Sequence, residues 1–548
     1  MSDAQVPQTR RERREAEQRA EAAAAASDVA SGAPAASAAP TLSATESDAV
    51  ANAEAEAKAE AAAEAQAEAE AEAGARGGIR SIVRRHPRAW AAAAAAVALV
   101  VLGGGAFAAG AAMGATAAPA ASALVTATPT ETPTPTPTPT VDARTQPQLA
   151  AAPAPVRTCS VADLATDGRL GTFLGSVRNA ATGEVLFDRN ATTPARTASV
   201  MKVLSSAAAL AVLGPDYRVP TTVVAGSTPG QVVLVGGGDI TLASGSSNIY
   251  TDSASMQDLA SQVNAAWSAD PSRAGTPITS IVLDASIFSG DRWQPSWLRK
   301  EQVDGYSSEV TGLQVDGDRA DPSANVSTRS DNAVLSAGQA FADALGVPNA
   351  SLAEGVAAAG STQLGQVLSA PVSTMIPDAL LRSDNTEAEM LARLVAVKLG
   401  VGSDFAALNT AIPQALATYG INTSGLTIVD GSGLSDDNGV PPNFLSELFI
   451  HINNREGNLG IIADGLPVAG ESGTLAGRFG GSPAAGNVVA KTGWIDTGYT
   501  LSGIIRAADG SVLTFAFFAL DDVGDSAKTA IDALTTGVYE CGNGLSNN

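Results

Sequence analysis

The sequence has few of the residues that build metal centres and histidine-dependent active sites. Among 548 residues there are only two histidines and two cysteines. His86 lies among arginines before an apolar stretch, and His451 sits in an apolar run that favours a core or helix-surface position. A structural zinc site needs four such ligands together, and setting His86 aside leaves only His451 and the two cysteines, so we expect no metal site. A Ser-His-Asp triad could likewise rest only on His451.

A basic surface is also lacking. The formal net charge is −23, with 33 Lys and Arg against 56 Asp and Glu. Proteins that bind nucleic acid display clustered basic residues, so we exclude nucleic acid as a partner. A local positive site around Lys202 and Lys491 can still attract a carboxylate despite the acidic exterior.

Large apolar side chains are scarce near the N-terminus. Residues 1–79 are mainly Ala and Glu with some Arg, which predicts a disordered cytoplasmic tail, with a partner-binding coiled coil as the alternative. Residues 80–88 are basic, and residues 89–112 carry no charge over a length that spans about 30 Å of hydrocarbon. We expect a transmembrane helix at 89–112, with the N-terminus in the cytoplasm because the arginines precede it. A cleaved secretory signal is the alternative.

Residues 113–157 form a predicted linker rich in Ala, Thr and Pro. Threonine and proline alternate up to Thr140, a pattern that favours an extended polyproline II spacer. Such a spacer would hold the following domain away from its anchor, outside the membrane. Threonine O-glycosylation of the linker is an open alternative.

Three motifs carry the side chains that an acyl-serine enzyme needs: Ser199-Val200-Met201-Lys202, Ser383-Asp384-Asn385 and Lys491-Thr492-Gly493. On a helix, residues three apart share one face, so the Lys202 amine can reach the Ser199 hydroxyl. A serine nucleophile needs such a base, and lysine can serve only when burial or a second cation, such as Lys491, lowers its pKa.

The other two motifs supply the remaining roles. Ser383 can relay a proton to the leaving amine, and Asn385 can orient the substrate. Lys491 and Thr492 can hold a substrate carboxylate, and the strand that carries them with Gly493 can offer a backbone N–H to an oxyanion. This chemistry needs no cofactor.

A second Ser-Asp-Asn tripeptide occurs at 330–332. There we expect a structural role, because Ser330 or Asp331 can cap the apolar helix that follows from Val334 to Leu345. We therefore assign the catalytic tripeptide to Ser383.

The two cysteines flank the proposed folded region. If Cys159 and Cys541 pair, the disulfide ties the first residues of this region to its C-terminal helix, and an exported location permits it. Two free thiols are the alternative.

The periodicity predicts an α+β fold. Strands at both ends of the region, with helices between them, imply that the termini meet in one antiparallel sheet packed by helices. Residues 221–324 read as an inserted β-rich module. The predicted elements are a hairpin at 171–188, helices at 199–213, 332–345, 386–399 and 526–534, and late strands at 488–491, 501–506 and 512–520.

Together the motifs resemble those of the D-alanyl-D-alanine carboxypeptidase/endopeptidase family of low-molecular-mass penicillin-binding proteins. The resemblance covers about residues 158–545 and implies a β-lactamase/transpeptidase-like domain in two parts, 158–220 and 325–545, around the inserted module. In one departure, Trp494 replaces the small residue usual after Lys-Thr-Gly, and its ring can narrow the cleft. Further matches are Leu213 to Arg218, Leu234 to Asp239, Asp430 to Ser435, Gly473-Thr474-Leu475 and Arg478-Phe479.

The resemblance implies a membrane-anchored, extracytoplasmic serine-type D-Ala-D-Ala carboxypeptidase that trims peptidoglycan stem peptides, with DD-endopeptidase activity as a further option and β-lactams as inhibitors. Two other functions stay open: a β-lactamase, which needs a carboxylate to activate the deacylating water, and a catalytically silent wall-binding protein. The implied catalytic residues are Ser199, Lys202 and Ser383, and the implied substrate-binding residues are Asn385, Lys491, Thr492, Gly493 and Trp494.

Overall fold

A computed structural model describes residues 157–246 and 248–547. The predicted tail, basic segment, transmembrane helix and linker therefore lie outside the described residues, apart from Arg157 at the linker's end. Within the described ranges, no helix combines the length and apolar character that a bilayer span requires.

The first sheet has five antiparallel strands in the order β2, β1, β10, β9, β8. These are β1 (Thr172–Asn179), β2 (Val185–Arg189), β8 (Val488–Ile495), β9 (Gly498–Arg506) and β10 (Val512–Leu520). The predicted hairpin is confirmed, and so is the meeting of the first and last strands of the folded region in one antiparallel sheet. Strand β8 runs four residues past its predicted end and so includes Gly493 and Trp494.

Strand β10 is apolar along its length because both of its faces are covered. Phe515 and Phe517 belong to the core under the C-terminal helix α11 (Ser526–Cys541). The described residues contain eleven α-helices, of which the short α1 (Ala162–Ala165) is the first and α11 the last. Phe518 belongs to the core on the opposite face, which includes residues of α9 (Pro442–Asn453). The alternation of strand side chains thus places a helical layer on each side of the sheet.

The larger helical layer is built around α2 (Met201–Val212). Ten consecutive residues of α2, Met201 to Leu210, are buried, which is the pattern of a helix surrounded by others. Its small Ala207, Ala208 and Ala209 permit close packing. The surrounding helices are α6 (Val372–Leu381), α7 (Asn385–Leu399), α8 (Leu408–Leu416) and α10 (Gly460–Gly465).

The second sheet is mixed, in the order β6, β5, β4, β3, β7. This sheet continues past residue 324, which the sequence analysis gave as the end of the inserted module. Its pairs β4/β5 and β5/β6 are parallel, and parallel neighbours need crossover connections, which here contain helices. Its elements are β3 (Pro220–Ala225), β4 (Gln231–Gly236), α3 (Met256–Ala269), β5 (Ser280–Asp284), α4 (Lys300–Val303), α5 (Ala333–Leu345), β6 (Ser351–Glu354) and β7 (Gln363–Leu368).

The second Ser-Asp-Asn tripeptide lies at the start of α5, as expected, but the predicted cap is wrong. The side chain of Asn332 accepts the N-terminal hydrogen bond, from Leu335 N at 3.0 Å. Ser330 instead donates to Asp318 Oδ1 at 2.7 Å. The Ser330 side chain therefore binds a residue outside the helix start and does not cap the helix, contrary to the prediction from the local pattern.

A disulfide joins Cys159 to Cys541, with a Cα–Cα distance of 5.4 Å and a sequence separation of 382 residues. Beside it, Cys159 N donates to Gly544 O and Ser546 N donates to Cys159 O. The disulfide and this short pairing hold the first and last described segments together. The alternative of two free thiols is excluded by this structure.

We expect that Cys541→Ser lowers the free energy of unfolding by roughly 2–5 kcal/mol, because the open chain gains conformational entropy when it unfolds. Denaturant titration with and without a reductant measures the change. The double variant Cys159→Ser/Cys541→Ser is the control, and the reductant should destabilise the wild type only. Equal stability of oxidised and reduced wild type would contradict the expectation.

Candidate active site

Ser199 lies in a 3-10 turn, Ala198–Val200, that leads directly into α2. Ala198 has a φ of +46°, a left-handed conformation that costs energy for a residue with a Cβ. Gly433 lies against this turn, and a Cβ at its position would be 1.8 Å from the Ala198 carbonyl oxygen. The turn is thus held by a close approach that requires glycine.

The predicted contact between Ser199 and Lys202 is present. Lys202 Nζ donates to Ser199 Oγ at 2.8 Å, to Asn385 Oδ1 at 2.6 Å and to the Ser432 carbonyl at 2.9 Å. Three separate segments therefore meet at one amine.

The Lys202 side chain is fully buried. Burial lowers the pKa of Lys202 to about 8, and the carboxylates of Asp384, Asp430 and Glu389 act in the opposite direction. A neutral amine, which is the form that can accept a proton, is thus accessible at mildly alkaline pH.

The Ser383-Asp384-Asn385 motif forms the start of α7. Ser383 has a φ of +58°, and the Asp384 side chain caps the helix by accepting from Glu387 N. Asn385 is the first helical residue, and its Nδ2 donates to the Tyr306 carbonyl at 3.0 Å. The predicted helix at 386–399 is confirmed, with its first residue one position earlier.

Lys491, on β8, brings the third motif to the second one. Its Nζ donates to Ser383 Oγ at 2.8 Å and to the Thr492 carbonyl at 2.9 Å. Burial, and then the positive charge of Lys202, lower the pKa of Lys491 well below its ordinary value. A bound carboxylate would favour the charged form of Lys491 again.

The remaining residues of the third motif lie beside the Ser199 turn. A Cβ on Gly493 would be 2.2 Å from Thr500 Oγ1 and 2.9 Å from Ala198 Cβ, so glycine lets β8 approach this turn. The hydroxyls of Thr492 and Thr474 share a hydrogen bond of 2.7 Å. The Trp494 ring is 42% exposed and packs edge-on against Tyr306, with 6.4 Å between ring centroids.

A buried ion pair that the sequence analysis missed supports the second motif. Arg319 Nη2 lies 2.6 Å from Asp384 Oδ2, and both side chains are almost fully buried. The Tyr250 hydroxyl donates to the same oxygen at 3.0 Å. Burial alone would raise the pKa of Asp384, but the charges of Arg319 and Arg329 outweigh it and hold the pKa well below its ordinary value.

Two more buried carboxylates, Glu389 and Asp430, were also missed. In the sequence, Asp430 stands out only within a family match, Asp430 to Ser435, and Glu389 only as one residue of the predicted helix at 386–399. An acidic residue at a buried helix position is the signal that could have found Glu389. Within residues 157–246 and 248–547, no group of three or more His, Cys, Asp or Glu side chains is arranged to hold a metal ion.

The sequence profile of the D-Ala-D-Ala carboxypeptidase 3 (S13) family matches residues 158–342 and 319–538. The chain belongs to the S13 family. It is therefore a peptidase, and a serine-type D-Ala-D-Ala carboxypeptidase by family.

Similar S13 relatives include carboxypeptidase DacB of Mycolicibacterium smegmatis, 38% identical over 411 residues, covering 72% of this chain and 86% of the relative. A carboxypeptidase of Mycobacterium tuberculosis is 35% identical over 395 residues, covering 70% of this chain and 84% of the relative. The crystal structure of penicillin binding protein 4 from Haemophilus influenzae has a TM-score of 0.57 at 20% identity, covering 69% of this chain and 99% of that one. This last similarity shows that the two proteins share the fold.

We expect that Arg319→Ala lowers the free energy of unfolding by about 3–5 kcal/mol, because it leaves the Asp384 carboxylate buried without its cation. Chemical denaturation measures this change. Arg455→Ala, at a solvent-exposed ion pair with Asp464, is the control and should have little effect. A loss no larger than in this control would contradict the structural role of Arg319.

Proposed function

We propose that Ser199 is the nucleophile of an acyl-enzyme pathway that removes the terminal D-alanine from peptidoglycan stem peptides. The observation that carries the proposal is the hydrogen bond between Ser199 and the buried Lys202 amine, 2.8 Å long. In its neutral form this amine can take the hydroxyl proton as Ser199 Oγ attacks the penultimate carbonyl. The C–N bond to D-alanine then breaks, and water releases the acyl group from Ser199.

The second and third motifs have complementary roles in this proposal. Ser383, bound to Lys491 at 2.8 Å, passes a proton to the leaving amine. Asn385 orients the peptide, while Lys491 and Thr492 hold the terminal carboxylate. The backbone N–H groups of Ser199 and Trp494 stabilise the oxyanion.

Penicillins should acylate the same serine as substrate mimics. The Haemophilus influenzae protein of similar fold has been solved in complex with a β-lactam. Its likeness supports the proposal through the fold that the two proteins share.

We also place the catalytic domain outside the cytoplasm, anchored through residues 89–112. The disulfide between Cys159 and Cys541 supports an oxidising compartment. The proposal leaves DD-endopeptidase activity as a second reaction of the same site.

We expect that a fluorescent penicillin labels the wild type and that Ser199→Ala abolishes the label, because this variant lacks the oxygen that forms the ester. Ser330→Ala, in the second Ser-Asp-Asn tripeptide, is the matched control and should be labelled normally. Equal labelling of Ser199→Ala would refute the proposal. Mass spectrometry of muropeptides distinguishes carboxypeptidase activity, which removes one alanine, from endopeptidase activity, which cleaves cross-bridges. Rapid turnover of penicillin by the protein would indicate a β-lactamase.

The rate of acylation should rise with pH. Because the pKa of Lys202 is lowered to about 8, the fraction of neutral amine increases as the pH passes through this value, and the rate should be half-maximal near it. Stopped-flow measurement of penicillin acylation between pH 6 and 10 provides the check. A rate that is flat over this range would show that Lys202 is not the base.

A further inference from the structure

A buried carboxylate, that of Glu389, binds the same loop residue, Ser432, that the Lys202 amine contacts. Glu389 is on α7, one turn after Asn385, and its side chain is fully buried. Its Oε1 accepts from Gly431 N at 2.9 Å and from Ser432 N at 2.7 Å, and its Oε2 accepts from Gly431 N at 2.9 Å. The carboxylate thus holds two consecutive peptide N–H groups of one loop.

The same stretch of main chain faces the nucleophile helix through its carbonyl groups. The Ser432 carbonyl accepts from Lys202 Nζ at 2.9 Å, and the Gly431 carbonyl accepts from Ser205 Oγ at 2.6 Å. The Gly431 carbonyl and the Ser432 N–H belong to one planar peptide, so Glu389 fixes this peptide directly. The Ser432 carbonyl belongs to the next peptide, whose Gly433 N–H donates to Asp430 Oδ1 at 2.8 Å, and the two peptides are joined at the Ser432 Cα. Glu389 and Asp430 therefore together fix the acceptor of the Lys202 amine.

Asp430 organises the other part of this loop. It accepts from Trp297 Nε1 and Asn438 Nδ2, each at 2.8 Å, and from the backbone N–H groups of Gly433 and Ser435. These bonds account for Asp430 as a loop-forming residue. Glu389 binds the N–H groups of Gly431 and Ser432, and these hydrogen bonds join the loop to α7.

We propose that Glu389 is a positioning residue for Lys202. Glu389 fixes the main chain of Gly431 and Ser432, so that the Ser432 carbonyl is held where it orients the Lys202 amine. The Glu389 carboxylate also contributes negative charge to the surroundings of this amine. The inference rests on the proposed function, since it concerns the base of the same reaction. It assigns a role to a residue outside the three motifs.

The charges around the amine give the sign of the electrostatic effect. The carboxylates of Asp384, Asp430 and Glu389 raise the pKa of Lys202 against the effect of burial, and Lys491 on β8 is the nearby basic group, with a pKa that burial and Lys202 hold well below its ordinary value. Burial and the neighbouring charge of Asp430 raise the pKa of Glu389 itself to about 8, so its carboxylate gains its charge over the same pH range in which Lys202 loses its proton. Removing the Glu389 charge should therefore lower the pKa of Lys202.

Glu389→Gln separates the two contributions. A glutamine carbonyl at the Oε1 position can accept from both Gly431 and Ser432, whereas the charge and the second acceptor for Gly431, at Oε2, are gone. We expect this variant to keep most of the acylation rate and to shift the acid limb of its pH profile to lower pH by about 0.5 to 1 unit. Glu389→Ala removes the acceptor as well, and we expect the acylation rate to fall by about 10- to 100-fold through misplacement of Lys202.

The matched control is Glu387→Gln, on the same helix and also buried. Burial and then the charge of Asp384 raise the pKa of Glu387 well above its ordinary value, so glutamine resembles its protonated form. Its pH profile should coincide with that of the wild type.

The experiment measures fluorescent-penicillin acylation from pH 6 to 10 in the full chain, with thermal unfolding of each variant as the check of folding. A wild-type rate in Glu389→Ala, or a Glu389→Gln acid limb that coincides with the wild type, would overturn the inference. If Glu389→Ala does not fold, the position of the acid limb in the pH profile of Glu389→Gln tests the inference. Absence of Ser199-dependent labelling in the wild type would refute the proposed function instead, so the two failures are distinguishable.

Discussion

Burial of the Lys202 amine is the constraint on which the rest of the site depends. A buried ammonium without partners would be very unfavourable, so the fold must bring acceptors to it or leave it neutral. Three segments supply the acceptors: the Ser199 turn, the first residue of α7 through Asn385, and the loop that presents the Ser432 carbonyl. The same burial that costs energy is what lowers the pKa of the amine toward the range in which it can act as a base. Stability and reactivity are therefore set by one feature.

The inserted module contributes directly to this arrangement. Arg319 and Tyr250 come from the chain between β4 and α5, and both bind the Asp384 carboxylate at the start of α7. The Tyr306 carbonyl, from the same part of the chain, accepts from Asn385. Asp384 and Asn385 are thus held from the module while Asn385 also contacts Lys202. Because a buried ion pair is sensitive to the loss of either partner, the module and the catalytic helix are energetically coupled at this point.

The sequence predicted the site where its chemistry is local or motif-based. Ser199 and Lys202 meet because they are one helical turn apart, and the apolar character of the late strands predicted the sheet that carries Lys491. Arg319 could not be predicted, since its partner is 65 residues away in the chain and no spacing rule links them. Strand β6 escaped detection because it is only four residues long and mostly exposed, which leaves almost no apolar pattern. The Asn332 cap was missed because Ser330, Asp331 and Asn332 are all residue types that suit a helix N-cap. The contact that engages Ser330 instead, with Asp318, is not visible in the local pattern.

Two strained backbone positions lie in the site, and glycines pack closely against one of them. Ala198 and Ser383 both have positive φ angles, a conformation that costs on the order of 1–3 kcal/mol for a residue other than glycine. Neither residue type signals such a conformation, so the sequence alone could not reveal it. The surrounding contacts must over-determine these two positions: Gly433 and Gly493 pack where any Cβ would collide with the Ala198 turn, and Lys491 holds the Ser383 hydroxyl. Since the strain is met by contacts that already exist before substrate binds, the nucleophile and the relay hydroxyl are fixed in advance of the reaction, which is the condition for preorganised catalysis.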